Sequence, residues 1–235
     1  MKFAALFVAL FSFGLVPRTS AQTVDEIVDK NLKAKGGLEV LRATNSVRMT
    51  AKVNDQTPLT ILAKRPNLFR REVTLSGQTN IQASDGKVFW IQQAGGPATE
   101  VPIPAEALRR EGEFDGVFVD YKARGTTIAL VGKEPVDGKD TFHLKVTTKD
   151  GNVQDFYLDT ETGLERRIVI AIQQGPQKLI QEQLPSDYRD VEGRRMPFRI
   201  KNVSGQQTAE IVVEKVEFNV PLDDALFKLP PKSAR

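Results

Sequence analysis

The alternation of apolar and polar residues changes near residue 46 from a helical repeat to a strand repeat. Upstream of this point, apolar side chains recur at three- and four-residue spacing, at Val24, Ile27, Val28 and Leu32, as along one face of an amphipathic helix. Thr23 followed by Glu26 is a capping box, which marks where such a helix begins. Glycines at positions 36 and 37 end it, because glycine takes the left-handed conformation without steric cost. The pattern predicts one N-terminal helix and a second short turn at 38–41.

The rest of the chain alternates with a period of two, which is typical of half-buried antiparallel strands. Segments 46–53, 59–64, 69–75, 78–83 and 87–92 follow one another at short intervals, and about six more lie between residues 127 and 218. Asp-Gly pairs such as Asp85-Gly86 and Asp137-Gly138 separate several of them and indicate hairpin turns. Successive hairpins favour one continuous antiparallel sheet over parallel βαβ units.

The middle of the chain interrupts this alternation, and residues 105–110 and 113–122 predict two short helices. Open twisted sheets rarely exceed about ten strands, so a meander this long must curl, and its apolar face needs a cover. We therefore expect a mainly β (α+β) fold. It is a curled antiparallel sheet forming an incomplete barrel of about 11 strands, with short helices covering the concave face.

A curled sheet under thin helices leaves room for an apolar cavity. The candidate lining residues are Met49, Ile61, Phe69, Val73, Trp90, Phe118, Phe142 and Leu144. Each of them alone is equally compatible with an ordinary core position, and the hypothesis rests on the set. Acyl chains would enter such a cavity because burying each methylene contributes about 0.8 kcal/mol.

The N-terminus predicts a cleaved secretory signal over residues 1–21. A basic start at Lys2 precedes an apolar stretch that is too short to anchor in a bilayer, and the small residues Thr19-Ser20-Ala21 form a cleavage site. The mature chain, 22–235, is expected to be a single domain in the periplasm. Removal of Lys2 and Arg18 leaves 31 basic against 30 acidic residues. The net charge of the mature chain therefore does not indicate nucleic-acid binding.

The polar residues predict neither a metal nor a catalytic site. The chain has no cysteine and one histidine, His143, on a strand where a solvent-facing position is expected. Metal sites need several clustered ligands, and a Ser-His-Asp triad would need a nucleophile elbow that is absent. We expect a protein that is not an enzyme and that binds no cofactor.

Pairs of adjacent arginines, among them Arg70-Arg71 and Arg194-Arg195, lie in predicted strands. Neighbouring strand residues point to opposite faces, so one arginine of a pair can point inward. A solvated outer face is the usual explanation, and contact with anionic head groups is the alternative.

The run Lys64-Arg65-Pro66-Asn67-Leu68-Phe69, followed by Ser84-Asp85-Gly86-Lys87 and Trp90, resembles the LolA family of periplasmic lipoprotein carriers. Later motifs are similar to broader relatives, the outer-membrane lipoprotein-sorting-like proteins: Val131-Gly132-Lys133, Tyr157-Leu158-Asp159, Asp187-Tyr188-Arg189 and Asn219-Val220-Pro221. The likeness covers nearly the whole mature chain, and the shared order of the motifs carries it.

The resemblance implies an incomplete barrel with helices as a lid over a hydrophobic cavity. It implies that Arg65 helps to hold the lid closed and to release cargo. The expected ligands are lipid or lipoprotein acyl chains, with an inner-membrane exporter and an outer-membrane acceptor as partners and a monomeric carrier between them.

Two departures leave the cargo open. Residues 184–197 read as an extra hairpin, and the segment after Trp90 lacks the aromatic residues of the dedicated carriers. A carrier of lipoproteins, a carrier of another lipid, and an envelope-stress sensor that regulates a membrane partner through the same fold all fit the sequence.

Overall fold

A computed structural model describes residues 22–103, 108, 112–174 and 177–231. Helix α1, Val24–Ala34, begins at the predicted capping box: the Glu26 amide donates to Thr23 Oγ1 (3.3 Å) and the Thr23 amide to Glu26 Oε2 (2.8 Å). Helix α2, Leu38–Arg42, follows after two glycines with positive φ. Both N-terminal elements are thus confirmed.

The remainder forms one sheet of 13 strands, rather than about 11. In chain order they are β1 (Ser46–Val53), β2 (Thr57–Lys64), β3 (Leu68–Leu75), β4 (Gln78–Ser84), β5 (Phe89–Gln92), β6 (Ala98–Glu100), β7 (Thr127–Val136), β8 (Lys139–Thr147), β9 (Val153–Asp159), β10 (Glu165–Gln174), β11 (Gln177–Val191), β12 (Arg194–Ser204) and β13 (Gln207–Phe218).

Strands that follow one another in the sequence pair antiparallel, except for β6 and β7, which do not pair and form the two edges of the sheet. In addition, β1 pairs with β13. The meander is therefore folded back so that its first and last strands meet in the middle of an unclosed sheet. This confirms the mainly β class and the incomplete barrel. The predicted tight turn is present at Asp137 and Gly138, whose φ angles are 48° and 72°.

The helices lie on one face of the sheet, which we call the inner face. Over β8 and β9, α1 packs through Ile27, Val28 and Leu32 against Leu144 and Leu158, and this half of the inner face is a filled core. The opposite, outer face is covered near β2 by the C-terminal segment, where Leu62, Leu222 and Phe227 form a separate small core.

Residues 184–197 form the end of the β11–β12 hairpin, which turns at Glu192 and Gly193. Two expectations need correction. Residues 113–122 form a succession of turns and not a helix, because Gly116 and Asp120 adopt left-handed conformations (φ 73° and 51°). The connection at Asp85 is a four-residue loop in which only Gly86 has positive φ. Apart from residue 108, the helix expected at 105–110 lies outside the described residues.

Candidate functional site

An apolar surface occupies the half of the inner face that α1 does not cover. Its buried members are Ala51, Leu59, Phe198, Val213, Val216 and Phe218, and its half-buried members include Val47, Met49, Ile61, Val73, Met196 and Ile211. Strand register brings them together: Met49 pairs with Ile61 on β2 and with Val216 on β13. We call this set the apolar surface. Partly exposed apolar side chains in one contiguous set are typical of a ligand site.

A cavity of about 370 Å³ adjoins one end of this surface. Its floor includes Val47, Met196 and Phe218, and its other walls include Leu41 and Phe114. The volume lies within the range of small-molecule sites. We call α2 together with residues 112–126 the lid, because these segments form the walls that face the sheet.

Arg65, at the end of β2, joins the two parts of the lid. Its Nε donates to the Thr44 carbonyl (2.8 Å) and one Nη to the Leu41 carbonyl (3.4 Å). The same guanidinium binds Asp115 through two hydrogen bonds of 2.7 and 2.5 Å and lies 4.8 Å from the Phe114 ring centroid. The hydrogen bonds to Asp115 raise the pKa of Arg65.

Arg194, at the start of β12, binds the same helix from the sheet side. The side chain is buried, stacks 4.3 Å from the Phe218 ring centroid, and donates from Nε to Thr44 Oγ1 (2.7 Å). A second, longer bond of 3.3 Å reaches the Val40 carbonyl. The C-terminal end of α2 is therefore held by two arginines, one on each side of Thr44.

Helix α1 is fixed differently, through an apolar face and a buried polar network. Asn31 Nδ2 donates to the Gly163 carbonyl (2.8 Å), and Lys35 forms an ion pair with buried Glu165 (2.9 Å). Burial raises the pKa of Glu165, but the Lys35 ammonium outweighs it and the pKa is lowered. Helix α2 has no fully buried residue, and it is held both by the packing of Leu38 and Leu41 against the same core and by the hydrogen bonds of Arg65 and Arg194.

The loop after β9 that receives α1 is built around Asp159. Its carboxylate accepts hydrogen bonds from the amides of Glu161 and Thr162 and from Arg166 Nε. Burial raises the pKa of Asp159, but these bonds outweigh it and lower the pKa to about 2.

The structure divides the predicted cavity residues into three groups. Met49, Ile61 and Val73 lie on the apolar surface, and Phe69 is buried on the same face of β3. Phe118, Phe142 and Leu144 belong to the filled core under α1.

Trp90 does not share the apolar surface. It pairs with Ala83, which pairs with Arg70, so it lies on the outer face. There its Nε1 donates to the Phe227 carbonyl (2.8 Å) under the C-terminal segment.

The only histidine of the sequence lies between two carboxylates. His143 lies on the outer face, where its two ring nitrogens are each 2.8 Å from a carboxylate, Glu134 and Asp155, and its ring stacks on Tyr157. Among the described residues, no three metal-ligating side chains of His, Asp or Glu cluster. The helices in the described part of the chain are all too short or too polar to cross a membrane.

Solved structures share this architecture at low sequence identity. A DUF1329 family protein from Desulfovibrio piger has a TM-score of 0.59 and 14% identity, over 87% of this chain and 97% of its own. A LolA superfamily protein from Nitrosomonas europaea has a TM-score of 0.57 and 12% identity, over 88% and 98% of the two chains. The fold is LolA-like.

A further protein with the LolA-like fold, a domain from Vibrio parahaemolyticus named for outer membrane lipoprotein sorting, has a TM-score of 0.55 and 12% identity, over 86% of this chain and 94% of its own. No family model matches the sequence, and no curated protein matches it. The LolA-like fold is thus established by architecture.

Sequence reasoning named Arg65 but missed its partners. Asp115, Thr44 and Phe114 come from segments 21 to 50 residues away from Arg65 along the chain, and no local pattern joins them. For Arg194 the sequence contains one indication of an inward position, which is that it belongs to a pair of adjacent arginines on a predicted strand.

Proposed function

We propose that this protein is a carrier that holds the acyl chains of a lipid or of a lipoprotein on the apolar surface under the lid. The observation that carries the proposal is the partial exposure of Met49, Ile61 and Val73 on the same face of the sheet as the lid. Contact of these side chains with water is unfavourable. An acyl chain that covered them would gain about 0.8 kcal/mol for each of its methylene groups that is buried.

The lid offers a way to admit and release such a chain. Arg65 and Arg194 hold α2 through hydrogen bonds to Leu41, Thr44 and Val40. Net contributions of such bonds are about 1 kcal/mol each, or somewhat more when one partner is charged. Opening at α2 would break these bonds and the contacts of Leu38 and Leu41 with the core under α1, and ligand would act by shifting the population between closed and open states.

The proposed setting is the periplasm. The N-terminal 21 residues have the features of a secretory signal, and proteins with the same fold include a LolA superfamily member and a lipoprotein-sorting domain. In this setting a monomeric carrier would take its ligand from an inner-membrane exporter and deliver it to an outer-membrane acceptor. The proposed role is one of binding, without catalysis or a cofactor.

Mass spectrometry of the mature protein purified from a periplasmic extract tests this function. We expect co-purifying lipid or an acylated lipoprotein, and competitive displacement of it by a fluorescent fatty-acyl probe. Replacing Ile61 with Asp should abolish probe binding, whereas Thr60→Asp, on the neighbouring position of β2, should not. A protein that is repeatedly empty and binds no acyl probe would contradict the proposal.

A further inference from the structure

Two adjacent arginines of β3 point to opposite faces of the sheet. Arg70 is on the outer face, where its Nε donates to Glu72 (2.6 Å) and one Nη to the Leu226 carbonyl (2.7 Å). Arg71 is on the inner face, since it pairs with Ile61, a member of the apolar surface. Only the second of the two therefore points toward the proposed ligand.

Arg71 differs from Arg65 and Arg70 in the groups that its guanidinium contacts. Its guanidinium donates to the neutral amide oxygen of Gln82 at 3.3 Å and lies 5.4 Å from the Phe69 ring centroid. Within the described ranges it forms no ion pair, whereas Arg65 and Arg70 each have a carboxylate partner.

The strand neighbours of Arg71 on the inner face are neutral. Ile61 is opposite on β2 and Gln82 opposite on β4, while Phe69 and Val73 are the same-face neighbours on β3. The guanidinium is partly exposed to solvent, so an anionic group of a ligand can reach it. The side chain also stays protonated at any pH in the physiological range.

We propose that Arg71 is the head-group subsite of the apolar surface, and that the ligand is an amphiphile whose head carries a carboxylate or a phosphate. This inference rests on the proposed function, because the acyl chain of the same ligand would lie along Ile61 and Val73. A guanidinium binds either oxyanion through two parallel hydrogen bonds, and the Phe69 ring lies within cation–π distance of it. An uncharged glyceride gains nothing at this position, so the subsite would select acidic lipids.

Titration of the mature chain with three ligands of equal chain length tests this: laurate, dodecyl phosphate and monolaurin. We expect the anionic ligands to bind about tenfold more tightly than monolaurin, since a hydrogen bond to a charged group contributes more than 1 kcal/mol. Arg71→Gln should lower the affinity for the anions about tenfold and leave that for monolaurin unchanged.

The matched control is Arg70→Gln, which makes the same change of charge one residue away on the outer face. It should leave all three affinities unchanged, and thermal melting of each variant checks that it is folded. An effect of Arg71→Gln confined to laurate or to dodecyl phosphate supports the subsite and identifies which head group it takes.

Other outcomes overturn the inference in separable ways. Equal binding of all three ligands that Arg71→Gln does not alter would refute the head-group subsite and leave the carrier function standing. An equal loss for all three would make Arg71 part of the apolar surface instead. Absence of binding to any amphiphile would refute the carrier function itself.

Discussion

The Arg65 guanidinium holds the Asp115 carboxylate with two hydrogen bonds, Nη1 to Oδ2 at 2.7 Å and Nη2 to Oδ1 at 2.5 Å. The same side chain binds the Thr44 carbonyl just after α2. One residue at the end of β2 therefore connects both lid segments to the sheet. The bidentate geometry explains why arginine occupies the position, since a lysine ammonium cannot make both contacts in one plane.

Arg65→Ala should favour opening of α2. The pair is partly exposed, so we expect a cost of about 1–2 kcal/mol to lid closure, or roughly a tenfold change in the opening equilibrium. Hydrogen exchange at residues 38–45 measures it, and Arg65→Lys should restore protection only in part. Arg199→Ala, which removes an exposed outer-face pair with Glu210, should leave the exchange of α2 unchanged. Unaltered protection in Arg65→Ala would show that the arginine does not hold the lid.

Thr44→Val should destabilise the protein by about 1–3 kcal/mol, because it removes the hydroxyl acceptor of the buried Arg194 side chain without changing the shape of the residue. Denaturant unfolding measures the change. Thr44→Ser keeps the hydroxyl and is the matched control, expected near wild-type stability. If valine and serine have the same effect, the bond to Arg194 is not what matters at this position.

Gly36→Ala should be more damaging than Gly77→Ala. Both glycines have positive φ, at 117° and 78°, but a Cβ on Gly36 would lie 2.3 Å from the Gly193 carbonyl oxygen, whereas a Cβ on Gly77 meets nothing within 4 Å. Gly77→Ala bears only the backbone cost, about 1–2 kcal/mol, and Gly36→Ala adds the displacement of the β11–β12 turn. Thermal melting should separate the two, and equal melting temperatures would contradict this close approach.

Asp159 should make stability depend on pH in the acid range. Its pKa is lowered from 3.8 to about 2 in the folded protein, so its stabilisation is present above the unfolded value and is lost as the pH falls through about 2. The shift corresponds to about 2 kcal/mol at neutral pH. Asp159→Asn should lose this amount and show a flatter decline of the unfolding free energy between pH 4 and pH 2. Asp29→Asn, on the exposed side of α1, is the charge-matched control, and an identical pH profile for Asp159→Asn and wild type would count against the argument.

The regular elements could be predicted because each has a local cause. The capping box at Thr23 sets the start of α1, and Asp137-Gly138 supplies the positive φ angles of a tight turn. The segment 113–122 misled the prediction because Phe114, Val117, Phe118 and Tyr121 have helical spacing, while Gly116 prevents a helix from forming.

The candidate site was less accessible to sequence reasoning because it depends on which face each strand turns toward the lid. The sequence around Trp90 does not show on which face of the sheet this residue lies. Its environment depends on the C-terminal segment, which covers it on the outer face. The partners of Arg65 likewise depend on tertiary packing.

Site-directed quenching tests most directly whether an acyl chain occupies the apolar surface. The chain contains no cysteine, so Ile61→Cys and Thr60→Cys each place a single fluorescent label on β2, the first on the inner face and the second on the outer face. A fatty acid with a quencher along its chain should quench the label at position 61 strongly, with saturation, and leave the label at position 60 bright. Equal quenching at both positions, or none at position 61, would contradict the account of this protein as a carrier.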